Sequence, residues 1–131
     1  MENQKMSVVD ILLRPDLPDV RKQVPEKLVE LPRLSKKAEQ TVIFRLRGLT
    51  YDQVRTLKEK PNSDRAVYAV LNGCVEPSWK DTRLLDKEKG IVTPIDAIKA
   101  RLLAGEIDEL YVEIQKLCGY LHQTVSDVKN A

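Results

Sequence analysis

The sequence predicts an α+β fold that is mostly α-helical, with five to six helices and a small β-hairpin or lone strand near residues 29–47. Three observations support this prediction. Apolar and polar residues alternate over residues 41–47, which is the pattern of a half-buried strand. From Thr50 onward, apolar residues follow helical spacing between start and stop signals. Hydrophobic residues make up 42% of the chain but aromatic residues only 5%, so the predicted core is aliphatic, which suits helices.

Residues 1–34 are predicted to form an N-terminal arm that is partly extended. Ser7 can cap one or two helical turns over residues 8–13, a stretch that carries five apolar side chains. Four prolines follow between residues 15 and 32, and proline removes a backbone donor and disfavours helix in the residue before it. The apolar cluster of the arm therefore either docks on the body of the protein or waits for a partner.

The strand predicted at residues 41–47 places Val42, Phe44 and Leu46 on one face and two arginines on the other. Its nearest candidate partner is the segment 29–31, joined to it by a turn or a single turn of helix. Two strands alone are marginally stable, so helices must cover the apolar face. One strand edge would then still need pairing or shielding.

The helices are predicted mainly from their ends. Thr50 with Gln53 fits a capping box, and the sequence Thr-Pro-Ile-Asp at 93–96 is a strong start signal. The other predicted boundaries are Pro61 and Asn62 as a stop, Ser63 or Asp64 as the next cap, Gly90 as the end of a short helix over 81–88, Gly105 as a break and Gly119 as the last stop. Residues 35–122 thus form a helical body with one strand, and 123–131 a frayed tail.

Composition and charge restrict the classes of function. With 22 Lys and Arg against 20 Asp and Glu, the net charge of +2 is low for a dedicated nucleic-acid binder. Residues 36–60 are basic, with seven Lys and Arg against three Asp and Glu, but solvated faces of unequal sign explain this as well as a binding patch does. No apolar run approaches the length of a membrane span and no signal peptide opens the chain, so we expect a cytoplasmic protein with reduced thiols.

No catalytic, cofactor-binding or metal site is predicted. Cys118 and His122 have a spacing that suits two ligands on a helix, but zinc needs four ligands, or three and a water, and no further ligand motif is present. The phosphate-binding loop, the dinucleotide fingerprint and the nucleophile elbow are all missing. Cys74 is interpreted as a small buried hydrophobe. Trp79 is interpreted as a core residue, with an interface anchor as the alternative.

Two blocks of the sequence together resemble a known family. The first contains Pro25, Lys27, Val29, Glu30, Arg33, Leu34 and Ser35, followed by VIFRLRGLTYDQV. The second contains VEPSWKD at 75–81, TPIDAI at 93–98, LLAGEIDEL at 102–110 and IQKLCGY ending at Tyr120. In order and spacing these blocks, over residues 7–121, resemble the XkdN-like phage tail assembly chaperones.

The resemblance implies a non-enzymatic helper of tail assembly in long-tailed phages, prophages or phage-like elements. Such chaperones are expected to hold the long tape measure protein soluble in the bacterial cytoplasm, to help recruit tail tube subunits, and to be absent from the mature virion. The family offers no catalytic residue to transfer. The alternatives are a structural or accessory protein of the phage particle and, in another class, a small nucleic-acid-binding regulator.

Two apolar segments are our candidates for partner binding. An extended client segment could add to the edge of the predicted strand, or a client helix could lie in an apolar groove. The same segments could alternatively be used for self-association. The candidate residues are Val9, Leu12 and Leu13 in the arm and Ile43, Phe44 and Leu46 in the strand.

Overall fold

The computed structural model describes residues 6–128 and confirms the α+β class. One face of a three-stranded antiparallel sheet packs against the helices. In chain order the elements are α1 (Val8–Leu12), β1 (Glu26–Glu30), α2 (Pro32–Ala38), β2 (Ile43–Arg47), α3 (Tyr51–Lys58), α4 (Asn62–Gly73), β3 (Cys74–Glu76), two 3-10 turns (Thr82–Leu84 and Lys87–Lys89), α5 (Pro94–Arg101) and α6 (Ala104–Leu117).

The sheet has the order β1-β2-β3, so β2 is its central strand. The β1–β2 hairpin, joined through α2, places Glu30 opposite Ile43, which confirms the segment near residues 29–31 as the partner strand. The third strand, β3, pairs with the other side of β2 and was not predicted. It has only three residues and follows α4 without a break, so no local signal marks it.

The core lies between the sheet and the helix pair α4–α6. The side chains with the least solvent exposure among the large residues are Leu46, Val70, Ile98 and Ile114. Trp79 is also buried, which confirms its interpretation as a core residue, and it meets Phe44 edge to face with ring centroids 6.0 Å apart and planes at 70°. This is a favoured geometry for aromatic pairs, so the single tryptophan closes the core over the sheet.

Two predicted helix starts are confirmed by their hydrogen bonds. The Thr50 hydroxyl accepts from the Gln53 N–H while the Gln53 side chain accepts from the Thr50 N–H, and Thr93 with Asp96 forms the same reciprocal pair. These bonds satisfy donors that the first turn of a helix otherwise leaves open. Gly90 ends the second 3-10 turn with positive φ, as predicted.

Three predicted boundaries are wrong. α4 begins at Asn62 with Pro61 in the cap position, two or three residues before the predicted caps Ser63 and Asp64. Residues 81–88 form two 3-10 turns instead of one short helix. The chain breaks at Leu102 and Leu103, which are extended, while Gly105 lies inside the first turn of α6, because the Glu106 carboxylate accepts from the Leu103 N–H at 2.7 Å and starts the helix there.

The terminal regions match the predicted organisation only in part. The predicted arm, residues 1–34, includes β1, which is a full member of the sheet; we call residues 6–24, which precede it, the α1 segment. Residues 123–128 form neither helix nor strand. Residues 1–5 of the predicted arm and 129–131 of the predicted tail lie outside the described residues.

The Gly48→Ala variant should lower the free energy of unfolding by about 1–3 kcal/mol, because an added methyl group overpacks a backbone contact. A Cβ at Gly48 would stand 2.7 Å from the carbonyl oxygen of Leu117 at the end of α6. Gly105→Ala is the matched control, since its Cβ would meet nothing within 4 Å, and it should stabilise α6 by up to about 1 kcal/mol. Urea unfolding measures both, and equal effects would refute the close approach.

Candidate partner-binding surfaces

The α1 segment exposes nearly all of its apolar side chains. Ser7 caps α1, as predicted, and Asp10 completes a capping box with it, yet no residue of this helix is buried. Val9, Leu12 and Leu13 are 63%, 68% and 74% exposed. All three predicted residues of the arm are therefore accessible to a partner.

The three predicted strand residues do not share a surface. Ile43 is half exposed, on the face of the sheet that points away from the helices. Phe44 and Leu46 are 5% and 0% exposed and belong to the core. Successive side chains of a strand point to opposite faces, so one strand cannot present Ile43 together with Phe44. The prediction of Phe44 and Leu46 as surface residues is wrong, and both serve the packing of the sheet.

The predicted docking edge is also corrected. The central strand β2 is paired with β1 on one side and with β3 on the other, so it offers no free edge. The strands with an unpaired side are the two outer strands, β1 and the three-residue β3, and β1 is the longer of the two. The Gly48 N–H donates to the Pro25 carbonyl at 2.9 Å and the Leu31 N–H donates to the Val42 carbonyl at 3.1 Å, which fixes the register at both ends of β1.

This register determines which backbone groups of β1 face outward. Residues that exchange hydrogen bonds alternate along an antiparallel strand. Because the odd-numbered residues 25 and 31 point toward β2, the groups of Glu26, Leu28 and Glu30 point to the open side. The side chain of Leu28 is 64% exposed, and the structure places no further strand beside it among residues 6–128. β1 is thus an open edge of five residues.

A groove lies beside this edge, between β1 and α6. It has a volume of about 400 Å³ and an apolar floor that includes Val29 and Leu110. Four glutamates line it and no basic residue does; we call it the acidic groove. The glutamates are Glu30, Glu106, Glu109 and Glu113.

Two of the four glutamates, Glu106 and Glu113, are held by ion pairs across the fold. Arg33 donates from Nε and Nη2 to Glu106 at 3.0 and 2.8 Å, and from Nη2 to the Arg101 carbonyl at 2.8 Å. This bidentate bond holds the pKa of Glu106 below its usual value. The Lys27 ammonium donates to the Glu113 carboxylate, and this hydrogen bond is the main cause that lowers the pKa of Glu113. Both groups are therefore ionised at neutral pH, and the groove is negatively charged.

The described residues hold no cluster of three or more His, Cys, Asp or Glu that could bind a metal ion. Burial raises the pKa of the Cys74 thiol to about 11, in keeping with its interpretation as a buried hydrophobe. Cys118 accepts a hydrogen bond from the Leu49 N–H at 3.1 Å, and partial burial raises its pKa as well. Raised values leave both thiols protonated and poorly nucleophilic. Over residues 6–128, no helix has the length and apolar character needed to cross a membrane.

Comparisons with known proteins agree with the resemblance noted in the sequence. The family model of the phage XkdN-like tail assembly chaperone protein matches residues 61–131, just over half of the chain. The crystal structure of the protein yqbn is similar to this structure with a TM-score of 0.59 and 19% sequence identity, over 91% of this chain and 99% of that one. At that identity the likeness supports the fold alone. No curated protein matches the chain.

Alanine substitutions at two neighbouring residues should separate core from surface in β2. Phe44→Ala should lower the free energy of unfolding by about 3–5 kcal/mol, since it removes a buried aromatic ring and leaves a cavity. Ile43→Ala, on the exposed face, should lower it by less than about 1 kcal/mol. Chemical denaturation of both variants measures the two losses of unfolding free energy. Comparable losses would contradict the assignment of Phe44 to the core.

The Arg33–Glu106 bond should make stability depend on pH in the acid range. The folded pKa of Glu106 lies below its usual 4.5, so the stabilisation is complete above that pH and is lost as the pH falls through the folded value. Unfolding curves from pH 6 to pH 3 should therefore show wild type losing its advantage over Glu106→Gln. Arg33→Met should reduce the pH dependence of the unfolding free energy in the same way, and the double variant Arg33→Met/Glu106→Gln should reduce it no further. Wild type and Glu106→Gln losing stability in parallel would contradict the assignment.

Proposed function

The chain belongs to the phage XkdN-like tail assembly chaperone family, and from this membership we propose that it acts by binding the tape measure protein. The proposed chaperone is non-enzymatic: it keeps this client soluble in the bacterial cytoplasm, helps recruit tail tube subunits to it, and leaves before the virion is complete.

The observation that carries the proposal is the exposed α1 segment. Its helix is only five residues long, too short to be stable in water without support. It nevertheless carries Val8, Val9, Leu12 and Leu13 with most of their surface in solvent. Covering such an apolar surface with an apolar client removes it from water and lowers the free energy of the system.

The size of that gain suits a chaperone that must also release its client. Full burial of one Leu or Val side chain contributes about 1.5–3 kcal/mol. Part of that gain offsets the ordering of the α1 segment and the loss of translational freedom on association. Val9, Leu12 and Leu13 together therefore support binding that is specific and still reversible, as assembly requires.

Co-expression with the tape measure protein of the same tail operon tests the proposal. The yield of soluble tape measure protein, with and without this chain, measures the chaperone activity, and co-purification at high salt measures the complex. Apolar contacts should survive salt, whereas phosphate-driven binding to nucleic acid weakens steeply with it. If no complex forms and the tape measure protein is no more soluble with this chain than without it, the proposal is refuted.

Charging the α1 segment should abolish client binding without unfolding the chaperone. In Leu12→Asp/Leu13→Asp, two exposed side chains outside the hydrophobic core become anionic. The circular dichroism spectrum should therefore stay unchanged while co-purified tape measure protein falls at least tenfold. Val125→Asp/Val128→Asp is the matched control, with 84% and 75% exposed valines in the C-terminal region. Loss of fold, or equal losses of binding in both pairs, would remove the α1 segment as the client surface.

The alternative role, a structural or accessory protein of the phage particle, predicts a different final location of the protein. A component of the particle would be found in purified virions, whereas the proposed chaperone is absent from them. Mass spectrometry of purified particles decides between the two roles.

A further inference from the structure

We propose that the outer edge of β1, together with the acidic groove, is a docking site for an extended segment in which basic and apolar residues alternate. The inference rests on the proposed function in taking that segment to belong to the tape measure client. It adds the place and the chemistry of recognition, which the α1 segment alone does not provide.

The backbone of β1 supplies the first part of the site. The outward N–H and C=O groups of Glu26, Leu28 and Glu30 form a ladder that no other strand of residues 6–128 occupies. An extended segment placed there would become a fourth strand and satisfy these groups, which is the β-augmentation mode of peptide recognition. Exposed edges are usually protected, here by charge, and the sign of that charge restricts what can pair.

The side chains on the outer face of β1 read Glu-Leu-Glu at positions 26, 28 and 30. Glu26 lies 4.0 Å from Arg45, at the limit of an ion pair, and Glu30 has no ion-pair partner within residues 6–128. Opposite charges directly across from each other stabilise antiparallel strands, and like charges destabilise them. The matching order on the incoming strand is therefore Lys or Arg, an apolar residue, and Lys or Arg.

The groove side adds a second layer of recognition. Every charged residue that lines the acidic groove is a glutamate, and within residues 6–128 only Glu106 and Glu113 are paired with a cation. Glu109 lines the groove with no ion-pair partner in the described residues. The floor at Val29 and Leu110 is apolar. On this side the incoming segment should therefore carry one apolar residue and one cation.

The same charges disfavour other occupants. In a second copy of this chain paired edge to edge about Leu28, Glu26 would stand opposite the Glu30 of its neighbour, so like charges would meet at both ends. A nucleic acid would bring its phosphates close to the glutamates of the edge and the groove. A basic, apolar, extended peptide is the occupant that fits both the backbone and the charge.

The probe is the acetylated peptide Thr-Lys-Arg-Leu-Val-Lys-Thr, titrated into the ¹⁵N-labelled full chain. Its two Lys and the Leu would face positions 30, 26 and 28, and Arg and Val would face the groove. Binding should slow amide hydrogen exchange at Glu26, Leu28 and Glu30 and leave Lys27 and Val29, which already bond to β2, unchanged. The control peptide has Glu in place of Lys and Arg and should not bind.

Three variants locate the site. Leu28→Pro removes an outward donor and blocks the edge while the β1–β2 ladder is kept, because proline is tolerated on the free side of an edge strand; peptide affinity should fall at least tenfold. Glu109→Lys should weaken binding about threefold or more. Asp108→Lys, the neighbouring exposed residue of α6 outside the groove, makes the same charge change and should leave the affinity as in wild type.

Failure of this inference is distinct from failure of the proposed function. If the peptide does not bind, if the odd and even amides of β1 respond alike, or if Glu109→Lys and Asp108→Lys behave alike, the edge is not the docking site. Should Leu28→Pro unfold, the exchange pattern and the Glu109/Asp108 pair still decide. The tape measure protein binding to Leu28→Pro and Glu109→Lys as to wild type would overturn the inference alone and leave the chaperone proposal standing.

Discussion

The structure depends on the close approach of the end of β2 to the end of α6. Gly48 has no Cβ, and one placed there would meet the Leu117 carbonyl oxygen at 2.7 Å. At the next residue the Leu49 N–H donates to the Cys118 sulfur. Because β1 pairs with β2 in a fixed register, pinning β2 to α6 also sets the distance between β1 and α6. The acidic groove is the space left between those two elements, so the packing of one glycine determines the shape of a proposed binding site.

How far the sequence predicts this molecule depends on the range of each interaction. Helix starts at Thr50 and Thr93 are encoded within four residues, since the caps bond to the first turn, and both predictions are confirmed. β3 gains its stability from residues about thirty positions away in β2, so a local pattern could not reveal it. The prediction of a helix break at Gly105 is wrong for a related reason. The Glu106 carboxylate accepts from the Leu103 N–H and starts α6 before the glycine, so Gly105 lies inside the first turn.

The candidate surfaces show the same division. Exposure of Leu12 and Leu13 could be anticipated, because an apolar cluster followed by prolines has few ways to join a core. The alternation in β2 already assigns Phe44 and Leu46 to one face and Arg45 and Arg47 to the other, which indicates that the face of Phe44 and Leu46 is the buried one. The acidic groove could not be found from sequence, because its glutamates come from β1 and α6, which lie more than seventy residues apart.

The α1 segment and the β1 edge are close in the sequence, so a client bound at one surface is held near the other. Leu13 and Glu26 are only thirteen positions apart, a span of at most ~43–47 Å when fully extended. A client segment paired with the β1 edge would therefore lie within that distance of Leu13. The second contact is then intramolecular, and its effective concentration reaches the millimolar range for short linkers. A client that used both proposed surfaces would therefore be held more tightly than by either surface alone, although each contact by itself is weak enough to break.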